Sequence, residues 1–207
     1  MKKWLTVLFA QFCIFGCLLA QSKGLILGRN FPLPEIDSSV QLQYSTSFPN
    51  DSLKIYDFIL IFSSSNSNLN NGNISDIQAY VNQGGNLYLG ADNWPFVEES
   101  NQLTQVFFGK RYWGNQQLNK ELMNKKNRTK DISEKNQYFA NQSIVTFPMD
   151  YRLKVEVWSG DEPLILSGNF GKGKIILDGG YARFNLALNQ SAESKRIFNE
   201  LIEFLVK

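Results

Sequence analysis

Six acids stand where chemistry could be done: Asp92, Glu98, Glu99, Asp161, Glu162 and Asp178 fall at the ends of apolar runs or in the loops beside them. Two carboxyl groups about 5–9 Å apart suffice to hydrolyse a glycosidic bond, so a carboxylate-dependent hydrolase is one reading of them. The 207 residues contain no histidine, which removes Ser-His-Asp and Cys-His machinery, imidazole acid–base chemistry and His-ligated zinc. The surroundings of two of the six suit binding better than turnover. Asp92-Asn93-Trp94 follows one apolar run and Asp178-Gly179-Gly180-Tyr181 follows another. In an open α/β sheet, ligands sit beyond the carboxyl ends of parallel strands. Two acids, an amide and two aromatic rings there would hydrogen-bond the hydroxyls of a small polar ligand such as a glycan and stack on its ring. Asp92, Asn93, Trp94, Asp178 and Tyr181 are therefore the candidate ligand-binding residues, and no catalytic residue, metal or cofactor is expected.

A third segment, Gly171-Lys172-Gly173-Lys174, has the composition of a phosphate cradle. It lacks the full glycine spacing and opens into an apolar run of strand type. The helix N-terminus that gives such loops their free N–H groups and dipole is missing, so a hairpin turn is expected.

Both cysteines, Cys13 and Cys17, lie in a leader. Lys2 and Lys3 precede an apolar run from Trp4 to Ala20, and polar sequence begins at Gln21, the layout of a secretory signal peptide over residues 1–20. The run falls short of the ~20 apolar residues of a membrane span. Cleavage after Ala20 is expected, and membrane contact only through an uncleaved leader or lipidation at Cys17, where Ile14-Phe15-Gly16-Cys17 loosely matches a lipobox. The expected destination is the secretory pathway: periplasm or exterior for a bacterial chain, ER lumen or exterior for a eukaryotic one. A cleaved chain has no thiol and must rely on its core; a domain of this size buries roughly 70% of its unfolded surface.

The sequence holds 21 basic and 19 acidic residues, and without Lys2 and Lys3 the two balance. Nucleic-acid binding needs clustered positive excess, so the partner is expected to be a protein or a small polar ligand. A local basic excess between Lys110 and Lys135 is diluted by asparagine and glutamine and reads as a solvated polar insertion around 114–143. Asn50, Asn73, Asn127, Asn141 and Asn189 begin Asn-x-Ser/Thr triplets, glycan acceptors in a eukaryotic secretory protein and chance in a bacterial one.

The elements that must position these residues are legible in the apolar pattern. Phe58-Ile59-Leu60-Ile61-Phe62 is apolar throughout, as in a strand covered on both faces. Ile74, Ile77 and Val81 form a helical stripe, with Ser75 and Gln78 as an expected capping box and Gly84-Gly85 as the stop. Strand, helix, Gly-Gly and the strand Asn86-Leu87-Tyr88-Leu89 make a βαβ unit. The sequence predicts a single α/β domain over 24–207, a three-layer sandwich on a mainly parallel sheet. Its parallel strands lie near 24–27, 40–44, 58–62, 86–89 and 174–177. Strand 163–166 is expected antiparallel to 174–177, through a turn over Gly168–Gly173, with helices at 74–83 and 191–206.

Tyr56-Asp57 leading into the 58–62 run, then the 77–90 segment with its Gly84-Gly85, resembles the class I glutamine amidotransferase-like superfamily. Phe170-Gly171-Lys172-Gly173-Lys174-Ile175-Ile176-Leu177 is similar to a late strand of its non-catalytic branches. The resemblance implies a flavodoxin-like fold. Catalytic members carry a cysteine at the turn that here reads Gly90-Ala91-Asp92-Asn93, and a His-Glu pair near the C-terminus; neither exists in this chain. The resemblance thus implies a non-catalytic interaction or ligand-binding domain. Locally, Tyr56 to Gly90 is most similar to the lumenal domain of the 48-kDa-type oligosaccharyltransferase subunit, which implies an accessory role in protein N-glycosylation as an alternative. Residues 28–39 depart from that pattern in leaving almost no room for a helix between the first two strands.

Overall fold

A computed structural model of the protein describes residues 21–49, 52–117, 143–159 and 161–207. The expected signal peptide with Cys13 and Cys17, most of the polar insertion, and Asn50, Asn127 and Asn141 lie outside the described residues.

All five residues of strand β3 (Phe58–Phe62) are buried, because β3 lies inside a seven-stranded sheet with helices on both faces. The strands are β1 (Ser22–Gly28), β2 (Val40–Tyr44), β3, β4 (Asn86–Gly90), β7 (Lys154–Ser159), β8 (Glu162–Phe170) and β9 (Gly173–Asp178). Their order across the sheet is β2-β1-β3-β4-β9-β8-β7. The first five in that order are parallel, and β8 and β7 close the sheet as an antiparallel meander. A separate pair, β5 (Trp113–Gln117) and β6 (Ser143–Thr146), joins the two ends of the polar insertion, with Gln117 opposite Ser143.

Alternation within the strands divides the core in two. Leu25, Leu27, Ile59, Ile61, Leu87, Leu89, Ile175 and Leu177 face helices α1 (Asn71–Asn82) and α2 (Glu98–Phe108). Ile26, Phe58, Leu60, Phe62, Tyr88 and Ile176 face helix α3 (Ala192–Val206) and the short turn of 3-10 helix at Tyr181–Phe184. The three-layer sandwich, the parallel strands and the antiparallel hairpin are as the sequence predicts.

Two local expectations are corrected, and one helix is added. Helix α1 begins at Asn71, not at 74, and Asn70 and Asn73 form its capping box in place of Ser75 and Gln78. Asn70 Oδ1 accepts from the Asn73 amide while Asn73 Oδ1 accepts from the Asn70 amide, so the asparagines just before Ile74 are the helix start. The turn between β8 and β9 contains only Gly171 and Lys172, since Phe170 already pairs with Gly173. Helix α2 has no counterpart in the sequence reading. Its first turns are polar, but Ser100, Asn101 and Thr104 are buried through internal hydrogen bonds, and Leu103 and Phe107 carry its apolar contact.

The Gly-x-Gly of the hairpin is set by close approach. Gly171 has φ 61°, and a Cβ on Gly173 would overlap the carbonyl oxygens of Gly85 and Val81 at the end of α1. The Lys172 amide donates to the Asn82 carbonyl at 3.2 Å, which seats the hairpin on that helix end.

Candidate functional site

The two candidate segments meet at the carboxyl edge of the sheet. Gly90 is opposite Asp178 in the β4–β9 register. The Ala91 amide then donates to the Asp178 carbonyl at 2.7 Å, and the Tyr181 amide to the Ala91 carbonyl at 3.2 Å. Asp92, Asn93, Asp178 and Tyr181 are thereby brought together, though on unequal terms.

Asp178 has no exposed surface. Its Oδ1 accepts from the Gly180 amide at 2.9 Å and Arg183 Nη1 at 2.8 Å, and its Oδ2 from the Tyr88 hydroxyl at 2.6 Å and from Arg183 Nη2. A bidentate guanidinium plus two further donors fill the carboxylate. Asp178 therefore has no unengaged carboxylate oxygen to offer a ligand and braces the carboxyl edge from within. Burial, with the Asp178 charge beside it, pushes the Tyr88 hydroxyl well above the ordinary tyrosine range.

Asp92 is 1% exposed, and its surroundings differ. Its amide donates to the Phe96 carbonyl at 2.9 Å and the Phe96 amide returns to the Asn93 carbonyl at 3.0 Å, closing a tight loop over residues 92–96. Oδ1 accepts from the Asn93 amide at 2.8 Å, and among the described residues no donor meets Oδ2. Desolvation pushes its pKa up to about 7; the Asn93 amide opposes the rise, Asp178 adds to it, and Arg29 and Arg183 oppose it.

Arg29, Phe31 and Phe96 complete the site, and sequence reasoning missed all three. Arg29 follows β1, its amide bonded to the Phe62 carbonyl at 2.7 Å. Its guanidinium lies 4.0 Å over the Phe96 ring and donates to the Tyr181 hydroxyl at 3.4 Å. Tyr181 donates in turn to the Ser63 carbonyl at 2.6 Å and stacks on Phe31, ring centroids 5.5 Å apart. Burial raises the Tyr181 hydroxyl above its ordinary range. The rule that led to Asp92, to look beyond strand ends, applies equally to Gly28-Arg29, since β1 and β3 flank the point where the strand order reverses. Trp94 is 58% exposed and stands at the rim, in the loop that Asp92 begins.

The remaining acids do other work. Glu99 clamps the loop after β3, its carboxylate accepting from the Ser64 amide and the Ser64 hydroxyl, both at 2.7 Å. Glu98 opens α2, Glu162 opens β8 opposite Ser159, and Asp161 lies in the turn between β7 and β8. Among the described residues, no group of three acidic or cysteine side chains could hold a metal ion, and no helix is long and apolar enough to cross a membrane.

No protein-family model matches the chain, and the curated proteins give no sequence match. Solved structures do match. The cytoplasmic protein STM1381 from Salmonella typhimurium LT2 superposes with TM-score 0.61 at 14% identity, over 89% of this chain and 100% of that one. The chain carries a glutamine amidotransferase-like fold. The cytoplasmic protein STM3548 from Salmonella typhimurium has TM-score 0.54 and 12% identity, over 87% of this chain and 98% of that one. The exo-beta-1,4-mannosidase Op5Man5 from Opitutaceae bacterium strain TAV5 has TM-score 0.52 and 12% identity over 91% of this chain, which spans 36% of the enzyme. At such identities the likeness is one of fold, and function has to be argued from the site.

Proposed function

We propose that this protein is a non-catalytic binding domain, exported behind the leader at 1–20, that holds a small polar ligand at the carboxyl edge of its sheet. The observation that carries this reading is the open oxygen of Asp92: a carboxyl group at 1% exposure with no donor on Oδ2. That oxygen is not sealed from solvent, so a ligand hydroxyl or amide can reach it and supply the donor that the described residues do not.

The exposed face of Trp94 offers stacking, and Asn93 offers an amide beside it, a combination suited to a glycan. A hydrolase would require a second available acid, and the neighbouring Asp178 is already engaged by Arg183 and Tyr88. Binding without turnover is the better account.

The test is calorimetry and a glycan array with the purified protein beside Trp94→Ala and Asp92→Asn. Binding by the parent that weakens at least tenfold in both variants is expected. Equal binding by all three would remove the site, and an activity lost in Asp92→Asn would replace binding with catalysis.

A further inference from the structure

The same edge carries an unbalanced pair of charges, and that imbalance points to a narrower ligand class. Arg29 makes no ion pair among the described residues; its polar contact is the 3.4 Å donation to the Tyr181 hydroxyl. A guanidinium has five N–H donors in a rigid plane, so most of this fork is unused. The Phe96 ring, 4.0 Å from Arg29 Cζ, covers one face of the plane and leaves its edges open. Asp92 lies close enough to feel the Arg29 charge, yet the two are not bonded to each other. Asp178 and Arg183, the other charged groups facing Asp92, are paired with one another.

Arg29 and Asp92 are not joined to each other. With Phe96 packed under Arg29 and Asp92 at the start of the closed 92–96 loop, they form two anchor points of opposite preference. The Arg29 fork matches a planar carboxylate, which it can hold through two parallel hydrogen bonds. Asp92 Oδ2 matches a hydroxyl, and Trp94 offers an exposed ring face at the rim.

We propose that the ligand is an acidic sugar: a pyranose whose ring carboxylate pairs with Arg29 and one of whose hydroxyls bonds Asp92 Oδ2, with a ring face against Trp94. This rests on the reading of the carboxyl edge as a binding site. A neutral sugar would satisfy Asp92 and Trp94 but leave the Arg29 fork unused, and a simple carboxylate would fill the fork and leave Asp92 unmet.

The experiment is isothermal calorimetry with galacturonate and glucuronate oligosaccharides, galactose oligosaccharides of equal length, and acetate, on the parent protein, Arg29→Gln, Arg29→Lys and Trp94→Ala. Thermal melts verify that each variant is folded. Expected is at least tenfold tighter binding of an acidic than of a neutral oligosaccharide, a preference that Arg29→Gln abolishes and Arg29→Lys reduces because an ammonium lacks the fork. Trp94→Ala should weaken both sugars alike. Equal, Trp94-dependent affinity for acidic and neutral sugars would overturn the acidic ligand and leave the binding site standing. Acetate competing as well as the uronates would overturn it too, since the sugar would then be unrecognised. No binding of any of them at millimolar concentration would remove the binding reading itself.

Discussion

The Tyr88 hydroxyl donates to Asp178 Oδ2 across 2.6 Å, linking adjacent parallel strands in a region with no exposed surface. That bond helps hold a charge inside the core. Removing it by Tyr88→Phe should lower stability by about 1.5–3 kcal/mol, the range for hydrogen bonds to charged groups. Asp178→Ala should cost more, about 3–5 kcal/mol, because it leaves Arg183 buried without its counter-ion. Urea unfolding of the two variants gives both numbers. A ligand-binding role for Asp178 would instead appear as lost binding at unchanged stability.

Asp92 makes stability depend on pH in the opposite sense to an ordinary surface acid. Its folded pKa, about 7, is above the reference value of 3.8, so folding favours the neutral form. The contribution is complete below the reference value and is lost as pH rises through about 7. Asp92→Asn lacks this loss, so melting curves of parent and variant should diverge with rising pH. The variant should be the more stable by on the order of 4 kcal/mol at pH 8, from ~1.4 kcal/mol per pKa unit. Parallel curves from pH 4 to 8 would show that Asp92 is ionised throughout.

Asp150 has the reverse sign. Hydrogen bonds from Arg152, and secondarily from Lys110, hold its carboxyl well below the usual carboxylate range despite the opposing effect of burial. Its contribution is present above the ordinary carboxylate pKa and is lost as pH falls below it. Arg152 also donates to the Phe107 and Phe108 carbonyls at the end of α2, at 3.1 and 3.0 Å. Arg152→Ala should therefore destabilise the protein at neutral pH by about 1–3 kcal/mol and flatten its acid unfolding. Hydrogen exchange should show the last turn of α2 opening first.

Gly173→Ala should destabilise more than its single added methyl group suggests, by about 2 kcal/mol or more, because the obstacle is backbone at Gly85 and Val81 and not a side chain that could turn aside. Gly109→Ala is the comparison. That residue, unlike Gly173, is at positive φ, 68°, and nothing lies within reach of an added Cβ, so only backbone strain is incurred.

What could be read from the sequence follows from what each feature depends on. The 58–62 run and the Gly84-Gly85 stop report local burial and local backbone need, and they placed the parallel sheet correctly. Helix α2 escaped because its inward face includes Ser100, Asn101 and Thr104, which are buried by bonding to Ser63, Tyr112 and the helix itself; no periodicity of apolar residues reports such pairings. Asp92 and Asp178 looked alike in sequence, each just after a strand. They differ through Arg183, five residues beyond Asp178, whose side chain turns back into the core. Arg29 was invisible for the converse reason: its partner ring, Phe96, is far along the chain.

The position of β9 has a consequence for the order in which the chain can assemble. This strand is made of residues 173–178, yet it lies between β4, residues 86–90, and β8. The Asn86 side chain reaches still further, donating to the Leu205 carbonyl across 119 positions at 2.6 Å. A ribosome must therefore release residues 173–178 before β4 gains its second neighbour, and residues 192–206 before α3 can seal the Tyr88 face of the sheet. Such dependence on distant pairings slows folding, and nascent chains truncated before residue 173 should remain open to proteases long after β1 to β4 have been synthesised.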